Sequence, residues 1–247
     1  MYKSFVFDRA RNCLRFLVKS FDIKEMFIPY YLCDVVRHTL FEEGCKPLFY
    51  HIDDNFFPSQ EFPKDSYILY PNYFGVFGQN VEKLVKIYPK LIVDNAHAFF
   101  DSPSGFACFN SGIKFNQEEK AYLWVKDFSE KSDNVDIPQP DSLQKKRLNQ
   151  FMKLHQTYSS INKLNIVAKN SIYPYPFCYP LLAETEEIAD SIVKDLTQKG
   201  LTIYRYWNAL PKSYNEYKFY SRLVPIPLLS SFLEKRSKKL FIHYRSA

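Results

Sequence analysis

The sequence predicts an α/β fold: a mostly parallel sheet with helices on both faces, followed by a smaller C-terminal α/β part. Three observations carry this reading. Short runs rich in β-branched and aromatic residues recur at 47–51, 66–70, 91–93, 106–109 and 121–125. Segments with apolar residues at helical spacing lie between several of them, and such alternation marks parallel strands joined by covering helices. A polar, proline-containing stretch at 126–141 is then followed by a second strand–helix–strand unit. The 247 residues suffice for one large domain or two small ones. The expected division is a large domain over 1–140, then a helix with a small α/β domain over 141–247.

In chain order, Asp8 is placed to cap a helix whose residues Ala10, Cys13, Leu14, Leu17, Val18 and Phe21 share one face. A strand at 26–28 stops at Pro29. A second helix begins near Leu32, with Val35, Val36, Thr39 and Leu40 inward and Gly44 as its C-terminal cap. The strand 47–51 leads into 53–65, which is rich in Pro, Asp and Asn and reads as loop. After the strand 66–70, Val81, Leu84, Val85 and Tyr88 mark a helix that precedes the strand 91–93. Strands at 106–109 and 121–125 follow. Beyond the linker, Leu148, Phe151, Met152 and His155 predict a helix, and Tyr173-Pro174-Tyr175-Pro176 interrupts the pattern. The second unit is a strand at 178–183, a helix at 186–199 capped by Gly200, and a strand at 201–204. A final helix is expected over 228–240.

The apolar fraction of 46%, with 23 Phe and 19 Tyr, supplies a sizeable core. The formal charge of +6 is spread over short clusters, the densest being Lys145-Lys146-Arg147 and Lys235-Arg236 with Lys238-Lys239. These read as solvated helix faces. A nucleic-acid platform needs a basic stripe with stacking aromatics, and no such motif is present. The five cysteines are scattered, odd in number and without a Cys-x-x-Cys pair, so reduced thiols are expected and no disulfide frame or metal site. Residues 1–12 lack a signal-peptide core and no apolar run reaches transmembrane length, which predicts a soluble cytoplasmic protein.

The chemistry concentrates between residues 67 and 125. Leu91-Ile92-Val93 carry the chain to Asp94, His97 follows, and Lys114 stands beyond them. A carboxylate at the end of a buried strand is costly unless something pairs with it. A protonated pyridine nitrogen is one such partner, and a nearby lysine could hold the same cofactor as a Schiff base. Ligands of parallel sheets bind beyond the carboxyl ends of the strands, where 70–75 and 94–97 would lie.

Several blocks, in order, resemble the DegT/DnrJ/StrS-type sugar aminotransferases, which are pyridoxal phosphate (PLP) enzymes of the aspartate aminotransferase fold. They are the helix over 7–21, Phe27-Ile28-Pro29-Tyr30-Tyr31-Leu32-Cys33, Gly44-Cys45-Lys46-Pro47-Leu48-Phe49-Tyr50 with Ile52-Asp53, Asn72-Tyr73-Phe74-Gly75, Asp94-Asn95-Ala96-His97, and Asn110-Ser111-Gly112-Ile113-Lys114-Phe115. Tyr179-Pro180-Leu181-Leu182 and Trp207-Asn208 match again near the C-terminus. The resemblance covers most of a chain that is shorter than the family's usual one, so the large domain is expected to be a shortened version of the PLP-binding domain.

That resemblance implies pyridoxal 5′-phosphate as cofactor. It places Asp94 on the pyridinium nitrogen, His97 on the phenolic oxygen, Ala96 against the ring face and Ser111 on the phosphate. Lys114 would form the Schiff base and move protons. Arg9 and Ala10 stand where the family often has a glycine-containing phosphate cup, and charge from Arg9 could compensate. Tyr73, Phe74 and Trp207 would face the substrate or cofactor. Each has a structural alternative: a helix-capping Asp94, an exposed Lys114, a buried His97 satisfied by backbone, Ser111 in a turn, and aromatics that only pack. Two departures stand out, Ile113 in place of the family's arginine and Lys120 in place of its glycine. The implied partners are a nucleotide-sugar substrate, whose negative charge suits the mild positive balance, an amino donor (glutamate) and a second copy of the chain. The implied role is in surface polysaccharide biosynthesis. The alternative is a non-catalytic relative that keeps the fold as a binding or partner subunit. It draws on the missing glycines, Ile113 and the compressed stretch 125–179.

Overall fold

The computed structural model describes residues 1–228 other than 116, 130, 137, 141, 167–174 and 208–209. The helix expected over 228–240, apart from Leu228, lies outside the described residues, as do the basic cluster at 235–239 and Asn208. A seven-stranded sheet forms the body. Its strands are β1 (Tyr2–Phe7), β2 (Glu25–Pro29), β3 (Lys46–Tyr50), β4 (Ile68–Pro71), β5 (Leu91–Asn95), β6 (Ala107–Asn110) and β7 (Ala121–Lys126). Their spatial order is β1-β7-β6-β5-β4-β2-β3. β7 is antiparallel to both neighbours and the other pairings are parallel, so β7 runs against the remaining six strands.

Alternation along the strands builds two cores. Leu69 and Ile92 face the helices α1 (Ala10–Ser20) and α2 (Asp34–Glu42), where Cys13, Leu14, Leu17, Val36 and Leu40 are buried. Ile68, Tyr70, Leu91 and Val93 face the opposite side, which Val81 and Leu84 of α3 (Gly78–Ile87) cover. The mostly parallel sheet with helices on both faces is thus present as expected.

The remainder comprises α4 (Ser142–Tyr158), β8 (Cys178–Leu182), α5 (Glu186–Gln198), α6 (Tyr217–Ser221) and β9 (Leu223–Pro227). β8 and β9 pair antiparallel, with Pro180 opposite Pro225. Thr185 caps α5 through its hydroxyl, which accepts from Ile188 N–H at 3.3 Å, and Glu186 and Glu187 complement the helix dipole. One apolar cluster runs from Tyr50, Phe56 and Leu84 into Phe151, Tyr179, Leu196, Phe219 and Val224.

Three local expectations need correction, and one strand, β1, lies outside them. The N-cap of α1 is Arg9, not Asp8, whose carboxylate instead accepts from the Asn12 amide. β1 had no clear alternation because it is an edge strand, buried only at Ser4 and Phe5. Residues 201–204 form no strand; Leu201 N–H returns to Leu196 O at 3.0 Å and closes the end of α5. The partner of β8 is β9, whose two prolines masked its strand character but are tolerated in a two-stranded pair. Among the described residues no helix is long and apolar enough to cross a membrane, and no cluster of His, Cys, Asp and Glu is arranged to hold a metal ion.

Candidate active site

The site begins where β5 and β6 end side by side, with Asp94 opposite Phe109 and Asn95 opposite Asn110. Asp94 Oδ1 accepts from Ala96 N–H at 2.9 Å, which closes the turn beyond the strand. The Asn110 side chain ties two segments together, donating to Phe99 O at 2.9 Å and accepting from Tyr122 N–H at 3.1 Å. Ser111 follows, then a short 3₁₀ helix over Gly112–Phe115 that carries Lys114. A β-carbon on Gly112 would lie 2.6 Å from Glu118 O, so only glycine lets the chain fold back there.

Lys114, Asp94 and His97 share one electrostatic neighbourhood. Burial pushes the Lys114 amine down, opposed by Cys33, Asp94 and Cys178. Burial pushes the Asp94 carboxyl up, opposed by Lys114 and the Ala96 N–H. The His97 ring, 4% exposed, is held well below the usual imidazole range by burial and then by Lys114. Its Nδ1 accepts from Phe74 N–H at 3.3 Å, so the neutral ring carries its proton on Nε2. That Nε2 is buried and has no partner among the described residues.

Aromatic rings enclose this group. Phe177 lies flat on His97 at 4.4 Å and 9°, and Trp207 is parallel to it at 5.9 Å. Lys114 Nζ sits 5.7 Å from the centre of the same Phe177 ring. Phe74 takes a left-handed backbone (φ 56°), costly for a bulky residue. Its two backbone partners, His97 Nδ1 and Phe177 N–H (2.9 Å to Phe74 O), hold it there. Gly75 follows at φ +68°, where a β-carbon would run into the His97 carbonyl.

Ala96 and Ser111 are partly buried at the sheet edge, and Ala10 opens α1. The Arg9 guanidinium is engaged by Glu119 Oε2 at 3.1 Å. Tyr73 and Phe74 are fully buried, and Tyr73 O–H donates to Tyr31 O at 2.8 Å. Trp207 packs edge-on to Tyr31 at 4.5 Å. Phe115 enters the sequence reading only as the end of the Lys114 block, and two neighbours of the site are not singled out there as site residues, Phe177 and Arg147. The charge pattern places Arg147 in a solvated cluster, yet Lys145 and Lys146 are exposed while Arg147 is 2% exposed. A helical phase shared with Gln144 and Phe151 was the available signal. A surface cleft of about 540 Å³, lined by Phe57, Phe62, Leu84, Ile87 and Tyr88 among others, contains none of these site residues.

No protein-family model matches the sequence, and no curated protein does. Solved structures do match. NtdA of Bacillus subtilis, with bound cofactor PMP, superposes with a TM-score of 0.69 at 14% identity, covering 97% of this chain and 72% of that one. A DegT/DnrJ/EryC1/StrS aminotransferase of Brucella abortus gives 0.66 at 12% identity, over 96% and 83% of the two chains. Helicobacter pylori PseC, an aminotransferase of pseudoaminic acid biosynthesis, gives 0.63 at 16%, over 97% and 85%. The fold is that of the DegT/DnrJ/EryC1/StrS aminotransferases. Within this fold, Asp94 stands at the carboxyl end of β5, and His97 and Lys114 lie beyond the carboxyl ends of β5 and β6, where ligands of such sheets gather.

Proposed function

We propose that this protein is a cytoplasmic PLP-dependent aminotransferase that acts on a nucleotide-linked keto-sugar, with glutamate as amino donor, as a homodimer, in surface polysaccharide biosynthesis. The observation that carries the reading is the edge cluster of Asp94, His97 and Lys114 in an aminotransferase fold. The residues fit the cofactor. A buried Nε2–H without an acceptor is a place for a ligand oxygen, and a buried carboxylate is a place for a protonated ring nitrogen.

When bound, PLP supplies an electron sink for charge developing at a substrate carbon. Asp94 would hold the ring nitrogen, His97 Nε2–H would donate to the ring oxygen, and Ala96 would back the ring face. Ser111 would take the phosphate, with Arg9 and Ala10 at the start of α1. Tyr73, Phe74 and Trp207 would form the aromatic wall behind the substrate. Lys114 is the nucleophile and the proton carrier. Desolvation favours its neutral amine, the form that attacks a carbonyl carbon and accepts a proton at Nζ.

The Arg9–Glu119 pair favours a second reading. It neutralises the cation that would stand in for the glycine-containing phosphate cup, and a chain that cannot hold the phosphate would be a non-catalytic partner subunit. Absorbance separates the two readings. With micromolar PLP, wild type should develop a borohydride-reducible band, Lys114→Ala should lose it, and Asp94→Asn should keep it with most activity gone. A charge-assisted hydrogen bond is worth about 1.5–3 kcal/mol, so PLP affinity should fall roughly tenfold or more in Asp94→Asn. No band in wild type at any PLP concentration leaves the non-catalytic reading standing.

A further inference from the structure

Arg147 is the least expected side chain near the site. A guanidinium that is 2% exposed needs compensation, because a buried charge is expensive unless paired. No carboxylate pairs with it among the described residues. Its contacts are of another kind. Nε donates to Pro176 O at 3.3 Å, and Nη2 donates to Phe177 O. The guanidinium plane lies over Phe115, 4.9 Å from the ring centre. Burial lowers its pKa to about 10, which leaves it charged at neutral pH. An apolar residue would fill this space without the desolvation cost, so stability alone does not account for an arginine here.

What Arg147 touches leads to the reactive groups. Phe115 is the chain neighbour of Lys114, and its ring is 5.9 Å from Phe177. Phe177 supports Lys114 Nζ at 5.7 Å from its centre and lies flat on His97 at 4.4 Å. We propose that Arg147 is a positioning residue: its planar fork clamps the Pro176 and Phe177 carbonyls and caps Phe115, fixing the two-ring wall on which Lys114 and His97 rest. A lysine could not reproduce this, since an ammonium is a point donor and not a planar fork. The inference rests on the proposed function for its chemistry, but its physical content does not need the cofactor.

The test reads the Lys114 amine directly, in cofactor-free full-length protein carrying ¹³Cε-lysine, with the signal assigned by its loss in Lys114→Arg. The ionisable groups facing that amine are Asp94 from β5, His97 beyond it, Cys33 at the start of α2 and Cys178 of β8. In Arg147→Met the wall loosens and water reaches the amine, which favours protonation. At the wild-type midpoint the protonated-to-neutral ratio should rise at least about threefold, with a changed Lys114 chemical shift. Phe151→Leu, on the same buried face of α4 but packed edge-on against Tyr179 at 5.2 Å, should lower the melting temperature and leave the Lys114 titration in place. If Arg147→Met does not fold, Arg147→Lys takes its place and should raise the ratio by less. An unchanged Lys114 titration in the folded Arg147 variant, or an equal change in Phe151→Leu, overturns the proposal. Failure of the PLP reading shows separately, as no absorbance band in wild type.

Discussion

Single side chains around the edge are pulled toward neutrality by burial, and Asp101 offers the clearest measurable case. Its carboxyl accepts from the Asn72 amide at 2.9 Å, yet burial lifts its pKa from 3.8 to about 6. The folded state therefore binds this proton more tightly than the unfolded chain does. The resulting stability is full below pH about 4 and is lost as pH rises through about 6. A shift of this size corresponds to at most about 3 kcal/mol. Asp101→Asn keeps an acceptor for Asn72 and removes the titration. The stability difference, variant minus wild type, should therefore grow between pH 4 and pH 7, as read by urea unfolding at each pH. A constant difference across that range would show that the carboxyl ionises freely. At this scale the spacing of Asp94, His97 and Lys114 was legible, because it follows strand ends. Arg147 and Phe177 were not, because burial of a charged residue depends on what packs over it.

At the level of elements, the strands of the sheet interior were readable from short apolar runs, while β1, β9 and α6 were not. β9 joins the body through α6, and Glu216 at the start of that helix is the latch. Its carboxylate has no solvent exposure, accepts from Ile52 N–H at 2.7 Å and bonds His51 Nδ1 at 3.0 Å. Lys218, two residues on, pairs with the largely exposed Asp54. The two contacts should weigh differently. Glu216→Gln keeps one acceptor and loses the charged one, at about 1–3 kcal/mol. Lys218→Ala loses a pair with a solvated partner, at about 0–1 kcal/mol. Denaturant midpoints compare them, and equal losses would show that the Glu216 latch is no stronger than a surface pair.

For the whole molecule, the apolar cluster shared by α3, the loop through Phe56, α4, β8, α5 and β9 predicts one cooperative unit. Trp124 in β7 reports on the seven-stranded sheet, and Trp207 on the segment that follows α5. Fluorescence unfolding of Trp124→Phe and Trp207→Phe, each retaining one reporter, should give transitions that coincide with the loss of helical circular dichroism. Separate midpoints would mean that 1–140 and 141–247 melt as independent domains. Assembly belongs to the same scale. The family resemblance implies that the helix over 8–21 and the aromatic loop 72–77 lie at or near a two-fold interface; in that loop Tyr73, Phe74 and Phe77 are at 0–2% exposure within a single chain, so those side chains already have partners.

The sequence by itself determined the α/β class, the parallel strand succession from β2 to β6 and the placement of Asp94, His97 and Lys114 at one edge. These follow from period-two and period-3.6 patterning and from which residues end a strand, and both are local properties. Tertiary structure decided the rest. It put β1 at the sheet edge beside β7, paired β8 with a proline-bearing β9, and enclosed His97 between Phe177 and Trp207. It also drove Arg147 inward while its two lysine neighbours stayed in water. Those outcomes depend on which surfaces meet across long sequence separations, and desolvation, which sets the charge of every group at this site, exists only once they have met.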